Sequence, residues 1–128
     1  ERWLSKGFDH EDAGRVGKAI IAYRKAAHLG DAIAQSNFAN LLDDKVKPPR
    51  PKEAVYWYKR AIRTGSYVAA YNLAVHYRNK GSARWTTHWL NVATELGDPD
   101  ARTELKKAKG AAELSFGHRL KARSRASD

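Results

Sequence analysis

The stretch Glu53-Ala54-Val55-Tyr56-Trp57-Tyr58-Lys59-Arg60-Ala61-Ile62-Arg63-Thr64-Gly65 decides the fold. Ala54, Trp57, Tyr58 and Ala61 stand three or four residues apart, which puts them on one face of an α-helix. Two further stretches align with it, Lys18-Ala19-Ile20-Ile21-Ala22-Tyr23-Arg24-Lys25-Ala26-Ala27-His28-Leu29-Gly30 and Trp85-Thr86-Thr87-His88-Trp89-Leu90-Asn91-Val92-Ala93-Thr94-Glu95-Leu96-Gly97. Their closing glycines are spaced by 35 and 32 residues. A phrase repeating at that interval is the mark of a stacked helical array.

Each stretch closes in the same way. Gly30, Gly65 and Gly97 are followed by Asp31, Ser66 and Asp98. Glycine takes the left-handed backbone that ends a helix, and Asp or Ser then accepts from the free amides that begin the next. Pro99 suits a first helical turn. Each junction therefore reads as helix, tight turn, helix, with neighbours packed antiparallel. The following helix repeats as well: Ala34, Phe38, Ala39 and Leu42 match Ala69, Leu73, Ala74 and Tyr77. Leu4, Ser5 and Phe8 carry the same phrase near the start. In the last copy Ala101 and Leu105 fit, but Lys106 and Lys109 replace the small and aromatic positions, as expected of a helix that caps a stack and faces water. Seven helices are expected, over about 2–11, 15–29, 32–43, 52–64, 67–79, 83–96 and 99–109. Pro48, Pro49 and Pro51 keep the longest loop extended.

These phrases resemble the Sel-one-like repeats, relatives of the tetratricopeptide repeats. The family pattern is roughly Ala-x3-Leu-Gly-x2-Tyr, a Gly-rich loop, then Lys-Ala-x2-Trp-Tyr-x-Lys-Ala-Ala-x2-Gly. The second repeat matches in Ala54, Trp57, Tyr58, Ala61, Gly65, Ala69, Leu73 and Tyr77, and the first in Lys18-Ala19, Tyr23, Lys25-Ala26-Ala27 and Gly30. The resemblance covers about residues 3–109. Ala39 and Ala74 stand where the family has Gly, the loop from Asp43 to Pro51 replaces the Gly-rich one, and the loop Asn79-Lys80-Gly81-Ser82 is short. The resemblance implies an all-α fold: a right-handed α/α superhelical solenoid of about three helix-pair repeats plus a C-terminal capping helix, over 1–110. Residues 111–128 are expected to be a basic extension, with a short helix around Ala112–Leu120 and then a frayed tail.

Composition narrows the function. The chain has 128 residues, 42% of them apolar, and a net charge of +10. Residues 45–63 carry seven basic side chains against one acidic, and residues 102–128 eight against three. The remainder is close to balanced, so the charge excess sits in these two segments. Zero Cys excludes disulfides and thiolate metal sites. No apolar run approaches the ~18 residues of a membrane span. The opening Glu1-Arg2-Trp3-Leu4 does not read as a secretory leader, and a chain without Met is expected of a processed form or a fragment. These features fix no compartment and no oligomeric state. His10, His28, His76, His88 and His118 show no metal-ligand spacing, and no nucleophile stands in a known catalytic motif. No enzyme activity, metal or cofactor is expected. His28 suits a helix C-terminus.

A stack of helix pairs curves and presents a concave groove. In the family that the chain resembles, the Leu-small-Tyr helix lines it. The expected groove residues are Ile33, Ser36, Asn37 and Asn40 on one helix and Tyr71, Asn72, Val75 and Arg78 on the next, with Lys6 and Lys107 at the ends. Asn37 and Asn72 share one repeat position. Their amides either grip a peptide backbone or bond a neighbouring loop or helix end. Lys6, Arg78 and Lys107 would make the groove basic and suited to an acidic segment; otherwise Lys6 and Lys107 are solvated. Trp57 and Trp89 share a position expected in the core. Tyr56 and Trp85 lie off that stripe and are candidates for an interface, and Trp3 is exposed unless another helix covers it.

The leading functional expectation is a non-enzymatic adaptor that binds a protein or peptide in the groove. Nucleic-acid binding is the alternative, through the basic segment 45–63 and the tail residues Arg119, Lys121, Arg123 and Arg125. Phe116 is the only aromatic in that tail, which gives base stacking little support. A third alternative, implied by the resemblance alone, is a bacterial immunity or inhibitor protein that covers an acidic partner.

Overall fold

A computed structural model describes residues 2–110. Among them there are seven helices and no strand. They are α1 (Arg2–Asp12), α2 (Val16–His28), α3 (Ala32–Asp44), α4 (Pro51–Arg63), α5 (Tyr67–Asn79), α6 (Ala83–Glu95) and α7 (residues 99–110). Each lies where the apolar spacing put it, within two residues at either end. The expected extension over 111–128, with Arg119, Lys121, Arg123 and Arg125, falls outside the described residues.

The turns work as the glycines indicate. Gly30, Gly65 and Gly97 take φ of 96, 96 and 109°. Just beyond each, the amides of Asp31, Ser66 and Asp98 reach back to the carbonyls of Ala26, Ala61 and Ala93 at 3.2, 3.2 and 3.0 Å, the Schellman closure. The same side chains then start the next helix: Asp31 accepts from the Ala34 amide at 2.9 Å, Ser66 from Ala69 at 3.1 Å, and Asp98 from Asp100 and Ala101 at 3.0 and 3.3 Å. Gly14 and Gly81 close α1 and α5 with positive φ in the same manner. The proline-bearing loop between α3 and α4 is the exception.

Consecutive helices pack on one another from α1 to α6, and α3 also touches α1 and α5. The odd-numbered helices thus form one layer and the even-numbered ones another. Equivalent positions are buried in successive pairs. Ala26, Ala61 and Ala93 let α2, α4 and α6 approach their neighbours, while Tyr23, Tyr58 and Leu90 fill the space beside them. In the other layer Ala34, Ala69 and Ala101 are fully covered, as are Phe38 and Leu73, with Leu105 nearly so. A large side chain buried this way contributes roughly 1.5–3 kcal/mol. Lys106 and Lys109 face outward on α7, where α3 and α5 bury Ala39 and Ala74. The core is two clusters, with Ile62 and Trp89 packed against both.

The first helix departs from the phrase read near the start. Leu4 is only half-buried, Ser5 is exposed, and Phe8 is 41% exposed with its edge against the Tyr23 ring. The buried residue is Gly7. A Cβ there would come within 2.3 Å of Tyr23 Cδ1 and Cε1. α1 therefore meets α2 backbone against ring, an approach that only glycine permits. The apolar pattern did not reveal this, because it assigns glycine no face.

A candidate partner cleft on the odd-numbered helices

The C-terminal ends of α1, α3 and α5 enclose a cleft of about 520 Å³. Asn40, Asp43 and Asp44 of α3 form one wall, and Asn72, Val75, His76 and Asn79 of α5 form the other. Glu11 closes one side, the Tyr58 ring lies at the base, and Lys45 and Lys80 stand at the rim.

Its polar groups are already held by neighbouring helices. His76 is buried at 4% exposure, and its Nδ1 lies 2.9 Å from both carboxylate oxygens of Asp43. Its edge meets the ring of Tyr77. The Tyr58 hydroxyl donates to Asn40 Oδ1. The Tyr23 hydroxyl donates to Glu11 Oε1 at 2.6 Å. Asn72 Nδ2 donates to Ser36 Oγ at 3.3 Å, joining α5 to α3. On the far side, the Tyr71 hydroxyl and Arg78 Nη1, the latter at 3.1 Å, both donate to the Glu104 carboxylate, joining α5 to α7. Groups fixed before a partner arrives lose less freedom on binding, which favours affinity.

The three phenols are pushed above their ordinary value. Burial is the main cause for Tyr23 and Tyr58, aided by the charges of Glu11 and of Asp43 and Asp44 respectively. For Tyr71 the main cause is its bond to Glu104. All three stay protonated donors at neutral pH, so none is poised to exchange a proton. Among the described residues no group of three or more His, Cys, Asp or Glu side chains gathers as a metal cage. No described helix is long and apolar enough to cross a membrane.

The structure sorts the expected groove residues. Asn40, Asn72 and Val75 line the cleft. Asn37 sits half-buried against the Tyr23 hydroxyl, and Ile33 is 57% exposed. Ser36 is a correction: it lies beneath the surface, holding the Asn72 amide. Tyr71 is engaged with Glu104. Arg78 is paired with Glu104 and lines a separate cleft of about 330 Å³ with Thr86, Thr87 and Ala108. Lys6 is also misplaced, because its ammonium lies 4.5 Å over the Trp3 ring in a third cleft between α1 and α2. Lys107 is exposed on α7. The expected basic groove is thus corrected: the cleft presents the carboxylates of Glu11, Asp43 and Asp44 against two rim lysines.

Sequence reasoning missed His76. It occupies the place that Leu41 fills in the preceding repeat, so it was visible as a polar residue on a buried stripe. Trp57 is buried as expected, between the His28 edge and the Phe38 ring. Trp89 is only half-buried. Trp85 and Tyr56 are exposed, as their off-stripe positions required.

No family model matches the chain. The sequence is similar to an F-box protein of Arabidopsis thaliana, At1g70590, with 38% identity over 72 residues. The match takes in 56% of this chain, which spans 20% of that protein's length.

Proposed function

We propose that this chain is a protein-interaction module that holds a partner's segment in the cleft on α1, α3 and α5. In this reading the helix pairs are Sel-one-like repeats wound as a right-handed superhelical solenoid, with α7 as its cap. Its work is non-enzymatic: to hold a partner in place. One observation carries the reading. The uncovered cleft on the odd-numbered layer is lined by side chains fixed between helices, with the Asn40 and Asn72 amides on facing walls. Amides both donate and accept, as a peptide backbone requires. The carboxylates favour a segment that brings hydrogen-bond donors. The similarity to one fifth of an F-box protein supports a unit that also occurs within longer chains.

The test is a cleft-filling variant of the full chain, Val75→Arg with Asn79→Arg. Both residues line the cleft and neither belongs to the apolar core. Peptides selected on the parent from a displayed library should lose at least tenfold in affinity for this variant, measured by fluorescence anisotropy, with the circular dichroism unchanged. Selected peptides that bind both proteins equally would place the partner elsewhere.

A further inference from the structure

Charge is divided between the two helix layers. α2, α4 and α6 together carry eight basic residues against two acidic, while α1, α3, α5 and α7 carry seven against seven. Of the two acids in the basic layer, Glu53 lies between Arg24 at 4.0 Å and Arg50 at 3.6 Å. Its charge is thereby answered, and the Arg24 contact links α2 to α4. Lys52, Tyr56, Lys59 and Arg63 are spaced along one exposed stripe of α4.

Rings are threaded among these cations. The Arg60 guanidinium lies 5.9 Å from the Tyr56 ring and 5.2 Å from the Trp57 ring, and Nη1 donates to the Tyr56 hydroxyl at 3.3 Å. The Lys59 ammonium lies 5.9 Å over Trp89, which meets His88 edge-on at 4.8 Å. His88 in turn lies 5.4 Å from Trp85, whose ring has the Arg84 guanidinium at 5.5 Å. The ladder runs from α4 to α6, and its outer rings, Tyr56 and Trp85, are 52% and 43% exposed.

We propose that this outer face binds a single-stranded nucleic acid, with phosphates on Lys52, Lys59 and Arg63 and bases stacked on Tyr56 and Trp85. Cations alone would serve any polyanion. Exposed flat rings among them are what an unpaired base needs and what an acidic peptide leaves unused. The occupant is a strand tracked by its charge and its stacking, without hydrogen-bond readout. The site's residues stand on α4 and α6, with Trp85 6.1 Å from the Tyr77 ring of α5, and none of them lines the cleft, so its failure leaves the cleft reading untouched.

The test uses the full chain and a labelled 20-nucleotide uridine strand, with binding followed by anisotropy across a salt series. The parent should bind, and the logarithm of affinity should fall with the logarithm of salt at a slope of about −2, as for three phosphates on a single strand. Lys52→Gln/Lys59→Gln/Arg63→Gln should flatten that slope and weaken binding at least tenfold at low salt. Tyr56→Ala/Trp85→Ala should weaken the single strand by on the order of tenfold and leave heparin binding unchanged, while Tyr56→Phe/Trp85→Phe restores it. Four results would each overturn the proposal. These are no binding at low salt, equal binding by parent and charge variant, loss on Arg119→Gln/Lys121→Gln/Arg123→Gln/Arg125→Gln alone, and capture of phosphatidylserine vesicles in place of the strand.

Discussion

Replacing Gly7 by alanine sets two effects against each other, and the structure decides the sign. Helix propensity alone says that Ala should stabilise α1 by about 0.5–1 kcal/mol. The added methyl, however, would sit 2.3 Å from two carbons of the Tyr23 ring, where carbon atoms normally approach to roughly 3.5–4.0 Å. Ring or helix must therefore shift by more than about 1 Å. The ring cannot swing away freely, since it is fully buried and its hydroxyl is tied to Glu11 at 2.6 Å. Overpacking of this kind costs about 1–3 kcal/mol, and loss of the hydroxyl bond adds about 1 kcal/mol. The net expectation is a loss of about 1–3 kcal/mol. Urea unfolding of the full chain, followed by tryptophan fluorescence, measures it. Gly17 is the control: it lies in α2 with nothing within 4 Å of an added Cβ, so Gly17→Ala should be neutral or stabilising. In a Tyr23→Leu background, Gly7→Ala should lose most of its cost. A Gly7→Ala protein as stable as the parent would refute the close-packing argument.

Asp43→Ala leaves the buried His76 Nδ1 without its acceptor and should cost about 1–3 kcal/mol in the same assay. His76→Leu restores the side chain found at the preceding repeat and should cost less, and the double variant should fall near His76→Leu alone. Gly65→Ala forces a side chain into φ of 96° and should lose about 1–2 kcal/mol. Asp31→Ala, which removes the cap of α3, should lose about 1 kcal/mol. Two buried phenols and the Glu104-bonded Tyr71 set the alkaline limit. Their folded-state values are raised above the unfolded value near 10, so their contribution is complete below that pH and is lost as pH rises beyond it. Denaturant midpoints should hold steady from pH 7 to 9 and fall above 10, and Tyr58→Phe should reduce the fall.

The helices and their turns were legible because the signals were local and repeated. Ala26, Ala61 and Ala93 recur four residues before a glycine that must turn, and a capping residue follows each time. Two features were not legible for physical reasons. Charge summed over consecutive windows mixes an odd-numbered helix with an even-numbered one, so the division between layers vanished into two basic segments and a neutral remainder. The cleft escaped because its members come from four helices, and its acidity depends on Glu11 standing beside Asp43 and Asp44. Lys6 and Arg78 were misjudged for a related reason: helical spacing places a Cβ, but the Trp3 ring and the Glu104 carboxylate determine where these long side chains end.

Trp89 and Ile62 have a mechanical consequence, since they touch both core clusters. α5 gives Ala69 and Leu73 to one cluster and Ala70 and Ala74 to the other, so it acts as a shared spine with half the molecule hung on each side. Ala69 and Leu73 share their cluster with Phe38 and Leu42, and the Asn72–Ser36 and His76–Asp43 bonds clamp α5 to α3. The seam therefore lies on the α6 side of α5. Both walls on which Asn40 and Asn72 stand belong to the same half, so the cleft keeps its gape whatever the other half does.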